Sequence, residues 1–164
     1  GQGAALRTGM EYALRREAGY IVTFDADGQH DEATIPRMIA ALEAGDVDVV
    51  LGSRFLGSSP GIPRARRLLL RAATLSMRLS TGLALTDVHN GLRGFTASAA
   101  RILALSQNRM AHASEILNAI GRSKLRWMEI PTTVRYTDYS RAKGQSGLGA
   151  VNIVYDLFMK RWFP

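Results

Sequence analysis

The stretch Tyr20-Ile21-Val22-Thr23-Phe24-Asp25-Ala26-Asp27-Gly28-Gln29-His30 constrains this chain more than any other. Its first five residues are β-branched or aromatic and carry no charge, the pattern of a strand buried on both faces. The run then stops at two carboxylates spaced i, i+2. A buried strand that delivers Asp25, Asp27 and Gln29 to its carboxyl end places oxygen donors where open α/β sheets bind ligands. Hard oxygen donors suit Mg²⁺ or Mn²⁺, which keep several waters and bridge to substrate phosphates. The run therefore predicts metal-assisted chemistry on a phosphorylated substrate.

Strand and helix patterns alternate around it. Leu6, Met10, Ala13 and Leu14 recur at helical spacing, so residues 4–17 read as an amphipathic helix against a sheet. The strand 20–24 leads into a helix over 32–44, with Asp31 or Thr34 as caps, Pro36 in its first turn and an apolar face of Ile35, Met38, Ile39 and Leu42. A second strand follows over 47–52, then the loop Gly57-Ser58-Ser59-Pro60-Gly61-Ile62-Pro63. This order predicts an α/β domain with a mixed, mostly parallel sheet flanked by helices.

From Arg64 to Leu79, Arg64, Arg66, Arg67, Arg71 and Arg78 interleave with six leucines and methionines. The segment reads either as an interfacial helix with arginines at lipid headgroups or as a core-packed helix with its arginines in water. Thr86 to Thr96 is polar and glycine-punctuated, then extended. Helices are expected over 97–105 and 112–120, a short strand closed by proline over 126–131, a polar loop over 135–149 and a terminal amphipathic helix over 148–164.

The 164 residues are one domain's worth of chain. With 46% hydrophobic and 21% charged residues the composition is that of a globular protein, and no apolar run is long enough to span a membrane. Cysteine is absent, which removes thiolate metal sites and fits a reducing cytoplasm. The net charge of +7 favours phosphate-bearing partners. Nucleic acid is the poorest of these, because the arginines are not interleaved with aromatic stacking residues. The chain opens directly on a helix, so the expectation is of a domain whose earlier strands are missing.

Two rival readings of the carboxylate motif fail on position. An EF-hand loop needs Gly at its sixth place and Glu at its twelfth, where this chain has His30 and Pro36. A haloacid-dehalogenase-type phosphatase follows Asp-x-Asp-Gly with Thr or Val, whereas Gln29 stands here. A structural turn with both acids capping the next helix is the plainer alternative.

The chain resembles the family 2 glycosyltransferases of the GT-A, Rossmann-like fold, near the dolichol- and polyprenol-phosphate sugar transferases. The likeness runs through Gly1 to Ala5, Asp25 to His30, Val50-Leu51-Gly52-Ser53-Arg54, Asp87 to Arg93, Glu129-Ile130-Pro131 and Tyr139 to Ser146. It implies that Asp25, Asp27 and Gln29 hold Mg²⁺ or Mn²⁺ and the donor diphosphate, with Asp27 catalytic. Arg54 and Arg66 match positions that face a lipid-borne acceptor phosphate. Arg141, in an Arg-x-x-Gly-x-Ser context that includes Ser146, matches an arginine reaching the donor phosphates. Leu70 stands where lipid-phosphate transferases tend to carry serine. The family's base-binding Pro-x-x-Asn-Glu-like segment has no counterpart here, so these residues alone are expected to form an incomplete and inactive GT-A domain.

The acceptor decides the remaining chemistry. A polyprenyl phosphate is already anionic and needs no base, whereas a saccharide or glycolipid hydroxyl needs one, for which Glu115 lies in the right region. Asp87 and Arg93 either line the acceptor site or lock their loop by an ion pair. The expected setting is peripheral, on the cytoplasmic face of the cell membrane, in an inverting transfer from a nucleotide-sugar donor. A non-catalytic module that docks its basic face on lipid is the alternative of another class.

Overall fold

The computed structural model describes residues 2–103, 112–123 and 125–136. The element order is α1 (Gln2–Arg15), β1 (Tyr20–Thr23), α2 (Thr34–Glu43), β2 (Val49–Ser58), α3 (Arg64–Thr81), β3 (Arg93–Thr96), α4 (Ala97–Ile102), α5 (His112–Arg122) and β4 (Trp127–Thr133). The expected terminal helix over 148–164 lies outside the described residues.

The strands form one sheet in the order β1-β3-β2-β4. β3 runs antiparallel to both β1 and β2, and β4 runs parallel to β2. The sheet is therefore mixed, as expected, but not mostly parallel in its pairing. β1, β2 and β4 do point the same way; β3 is inserted against them. After α3 the chain re-enters the sheet at the end where β2 leaves it, which sets β3 antiparallel to β2.

A second correction concerns burial. β2, not β1, is the strand enclosed on both faces, with Val49 through Arg54 all buried. β1 stands at an edge of the described sheet; Ile21 is buried, while Tyr20 and Phe24 are 39% and 37% exposed. β4 continues past Pro131 to Thr133 instead of closing there. Among the described residues it pairs on one side only, where a missing proline N–H costs least.

The period-two alternation along β2 divides the core. Val49 and Leu51 join Ile21, Phe95, Met10, Ala73, Met77, Ala99, Ile116 and Ile120 beneath α1, α3, α4 and α5. Val50 joins Met38, Leu42, Leu92 and Ile130 beneath α2. Met38 and Leu42 thus fulfil the apolar face expected of α2. Its caps differ from expectation, because Ala33 is the N-cap and makes no side-chain bond, while Asp31 accepts from the Ala33 N–H one turn earlier. α3 buries Leu70, Ala73, Thr74 and Met77 and stops at Gly82, whose φ of 72° a side chain would strain.

Candidate functional site

All the chemistry-bearing loops meet at one end of the sheet. Thr23 at the end of β1 pairs with Arg93 at the start of β3, so the Asp25 loop and the loop before Arg93 leave from the same edge. The Thr23 hydroxyl donates to the Gly91 carbonyl at 2.9 Å and ties the two loops together. Beyond Leu51, β2 delivers Ser53 and Arg54 to this end, alongside Ile130 and Pro131 of β4. His30 bridges to Val134, and the Arg135 N–H donates to the Gln29 carbonyl at 2.8 Å. The carboxylate loop is thereby pinned to the end of β4.

Within that loop the Asp27 carboxylate accepts the Gln29 N–H at 3.0 Å and stays exposed. This is the short-range turn that aspartate favours, and it uses one of the two carboxylate oxygens. The Asp25 side chain is 43% exposed, with His30 Nε2 at 3.8 Å from its Oδ2. His30 itself is nearly enclosed, and its Nδ1 has no hydrogen-bond partner among the described residues. Asp25 also fills the space in front of Gly91, where a Cβ would sit 2.0 Å from Asp25 Oδ2. Only glycine lets the two loops approach this closely.

Behind the carboxylates lies a buried polar cluster. Arg54 and Asp87 are paired at 2.6 Å, with 6% and 1% of their side chains exposed. Asp87 Oδ2 accepts the Arg54 backbone N–H as well, and its Oδ1 accepts the His89 N–H. The Arg54 guanidinium also donates to the Tyr136 hydroxyl at 2.6 Å and to the His89 carbonyl. Burial lowers the Arg54 pKa, but the charge and hydrogen bonds of Asp87 and Tyr136 outweigh it and leave the pKa raised. Glu129 supports the same loop from β4, accepting the Thr86 and Asp87 N–H groups and the Thr86 hydroxyl.

Arg93 is the second buried cation. Its guanidinium donates to the Asn90 carbonyl at 3.1 Å. Burial pushes its pKa down to about 10, against the opposing pull of Asp87 and Asp25. The cluster therefore sets the two buried guanidinium groups of Arg54 and Arg93 against the carboxylates of Asp87 and Glu129.

Of the expected site residues, the structure brings Asp25, Asp27, Gln29, Arg54, Asp87 and Arg93 to one end of the sheet. The ion-pair lock expected of this loop is made by Asp87 with Arg54, across 33 positions. Arg54 is consequently enclosed, with its fork committed to protein partners, and does not present an open phosphate contact. Arg66 is exposed, and its guanidinium carbon lies 5.3 Å from the Tyr136 ring centroid. Leu70 is only 3% exposed and belongs to the core, so its departure from serine alters packing beneath α3. Glu115 lies in α5, but its side chain falls outside the described residues, as do Arg141 and Ser146.

Two residues escaped the sequence reading as site members. Tyr136 falls in the polar loop expected over 135–149, yet it is 7% exposed and joins Arg54 to Arg66. Glu129 was visible as a lone acid inside the apolar strand Trp127-Met128-Glu129-Ile130, a signal that a polar partner waits nearby.

Residues 1–103 match the model for "Glycosyl transferase family 2". The chain belongs to that family. It is thus a glycosyltransferase domain, which decides against the non-catalytic docking module. It is 33% identical over 97% of its length to a UDP-N-acetylglucosamine–dolichyl-phosphate N-acetylglucosaminyltransferase of Methanococcus voltae, covering 65% of that protein. It is 28% identical over 99% of its length to an undecaprenyl-phosphate mannosyltransferase of Micrococcus luteus, covering 69% of it. An uncharacterized protein of Methanocaldococcus jannaschii is 29% identical over 99% of this chain, which covers 69% of that protein. The chain thus spans about two thirds of the length of these relatives. Among the described residues no helix is long and apolar enough to cross a membrane.

Proposed function

We propose that this domain serves metal-dependent transfer of a sugar from a nucleotide-sugar donor to a polyprenyl phosphate at a membrane surface. The observation that carries the reading is the placement of exposed Arg66 on the ring of Tyr136, whose hydroxyl Arg54 holds. This mounting presents a fixed guanidinium near the sheet end that bears Asp25 and Asp27, as a phosphate-bearing acceptor requires. The names of the relatives from Methanococcus voltae and Micrococcus luteus, both built on lipid-phosphate acceptors, support the same choice.

The open loop fits a hard divalent cation. Its donors are oxygens, Asp25 sits in a cradle that a Gly91 side chain would fill, and Asp27 is exposed. Among the described residues no three acidic, histidine or cysteine side chains converge on one point. Asp25, Asp27 and Gln29 would therefore hold Mg²⁺ or Mn²⁺ in the manner of sites completed by water and substrate phosphates. Bound there, such an ion supplies Lewis-acid stabilisation to the departing diphosphate.

The chain's own residues do the rest. The acceptor phosphate oxygen attacks the anomeric carbon as the bond to the donor diphosphate breaks, with inversion. Being anionic, it needs no general base, so Glu115 has no necessary part in this reading. Arg66 orients the acceptor phosphate from the face of the Tyr136 ring, while Arg54 ties that tyrosine to Asp87. Arg141 and Ser146 would meet the donor phosphates, as the family resemblance implies.

The test uses the full-length protein in detergent with polyprenyl phosphate and a panel of nucleotide sugars. A labelled lipid product is expected, lost on chelation and reduced at least about 100-fold by Asp27→Ala. Wild-type turnover in that variant, or product formed only on saccharide hydroxyls, would overturn the reading.

A further inference from the structure

The carboxylate loop ends on fixed ground. The His30 backbone bridges to Val134 just past β4, and the neighbouring Gln29 carbonyl accepts the Arg135 N–H. The imidazole lies against the Phe24 ring, with centroids 6.0 Å apart and planes at 55°. Only 6% of the His30 side chain is exposed. Asp25, five residues earlier, begins the same loop and is far more open.

An enclosed imidazole is costlier than a hydrocarbon of the same size. His30 Nδ1 is buried with no hydrogen-bond partner among the described residues, so it loses its water without replacement. Leucine or phenylalanine would pack against Phe24 as well. What only a nitrogen can provide is the contact on the other side of the ring, where Nε2 lies 3.8 Å from Asp25 Oδ2. A carboxylate oxygen in that place favours the tautomer with its proton on Nε2. The pair stands about 1 Å beyond hydrogen-bond length, a gap that a small side-chain rotation closes.

The same oxygen is confined from the opposite loop. Oδ2 is the Asp25 atom that comes nearest to Gly91, in the space a Cβ would take. Gly91 is fixed in turn by Thr23, whose hydroxyl donates to its carbonyl at 2.9 Å. Glycine supplies a backbone stop and no polar group. The buried charge of Arg93 also acts on Asp25, but a charge by itself does not select one carboxylate oxygen over the other.

We infer that His30 is a positioning residue of the cation site: its Nε2–H holds Asp25 Oδ2 against the Gly91 stop and sets the orientation in which Asp25 meets the divalent cation. His30 is not a ligand of that ion, since one nitrogen faces the carboxylate and the other the protein interior. A ligand oriented in advance binds more tightly than one that must be ordered on binding. This role rests on the cation reading of the proposed function and deepens it.

The test follows Mn²⁺ alone, in the full-length protein without donor or acceptor, by the loss of the free ion's electron paramagnetic resonance signal. The site counted is the one that Asp27→Ala removes. Glutamine places its amide nitrogen near the position of Nε2, asparagine near that of Nδ1, and leucine supplies bulk without a donor. His30→Leu and His30→Asn are expected to bind Mn²⁺ at least about tenfold more weakly than the wild type, and His30→Gln to stay close to it. Undiminished affinity in His30→Leu overturns the inference. Equal affinities in His30→Gln and His30→Asn overturn it as well, whether or not the leucine variant folds, because a donor at Nε2 would then have no part in binding. These results leave the cation reading standing, whereas a wild type that takes up no Mn²⁺ would overturn both.

Discussion

The loop over residues 24–31 and the cluster behind it are built from the same residue types with opposite physics. In the cluster, Arg54 and Asp87 are enclosed and each is met by several partners. In the loop, Asp27 is exposed and Asp25 nearly half exposed. A buried charge pair must satisfy its own groups, and once it has done so it has little left for a substrate. A half-exposed carboxylate keeps its lone pairs available. On the proposed function the cluster is scaffold and the loop is chemistry, although the family resemblance places residues of both in the site. The two differ in what a substitution should cost: stability in the cluster, turnover in the loop.

The sharpest way to break that comparison is Asp87→Ala. It would strand the Arg54 guanidinium in a dry site and release the His89 N–H. We expect a loss of about 3–5 kcal/mol in urea unfolding. A loss below about 1 kcal/mol would place Asp87 among the weakly coupled surface pairs and undo the scaffold assignment.

Gly91→Ala tests the boundary between the two regions. The new Cβ would lie 2.0 Å from Asp25 Oδ2, so the carboxylate must move. Because Asp25 is partly exposed it can swing outward, and stability should change by no more than about 1 kcal/mol. Displacing a ligand by an ångström or more should lower turnover about 100-fold. Retained turnover would show that the close approach of the loops has no part in the chemistry.

These two substitutions also mark what could be read from the chain. The strand end at Asp25, the apolar face of α2 and the length of α3 followed from local periodicity, because each is a property of neighbouring residues. The insertion of β3 between β1 and β2 did not. Arg93 to Thr96 is four residues long, and nothing in so short a run says which strands it will pair with or in which direction. β1 was read as doubly buried because its residues are apolar, yet composition does not say whether a strand is central or at an edge. The Arg54–Asp87 pair joins residues 33 positions apart, and the Arg54–Tyr136 bond joins residues 82 apart. The carboxylates were legible because the loop is local; the cluster was not, because its partners converge only in the fold.

Tyr136→Phe makes a smaller and more selective cut. It removes the hydroxyl that accepts from Arg54 and keeps the ring beneath Arg66. One buried donor loses its partner, so a cost of about 1–2 kcal/mol is expected, with little change in the KM for the acceptor. Tyr136→Ala should raise that KM by removing the stacking surface. Equal effects of the two variants on KM would mean that the ring does not position Arg66.

The smallest expected effect lies far from both regions and calibrates them. Asp48 accepts from the Arg126 side chain at 2.9 Å and from its backbone N–H at 2.8 Å. These bonds hold the Asp48 pKa below its ordinary 3.8, the Arg126 side-chain bond being the largest cause. A carboxylate whose pKa is depressed on folding binds fewer protons in the native state than in the unfolded one. Stability from this pair is therefore fully present above about pH 4 and is lost as pH falls through the depressed value. Asp48→Asn should be slightly less stable than the wild type at neutral pH, and the two unfolding curves should converge in acid. The pair is open to solvent, unlike Arg54 and Asp87, so the neutral-pH difference should shrink in high salt. If Asp48→Asn instead destabilised the fold as much as Asp87→Ala, burial would not be what separates scaffold charge from surface charge in this domain.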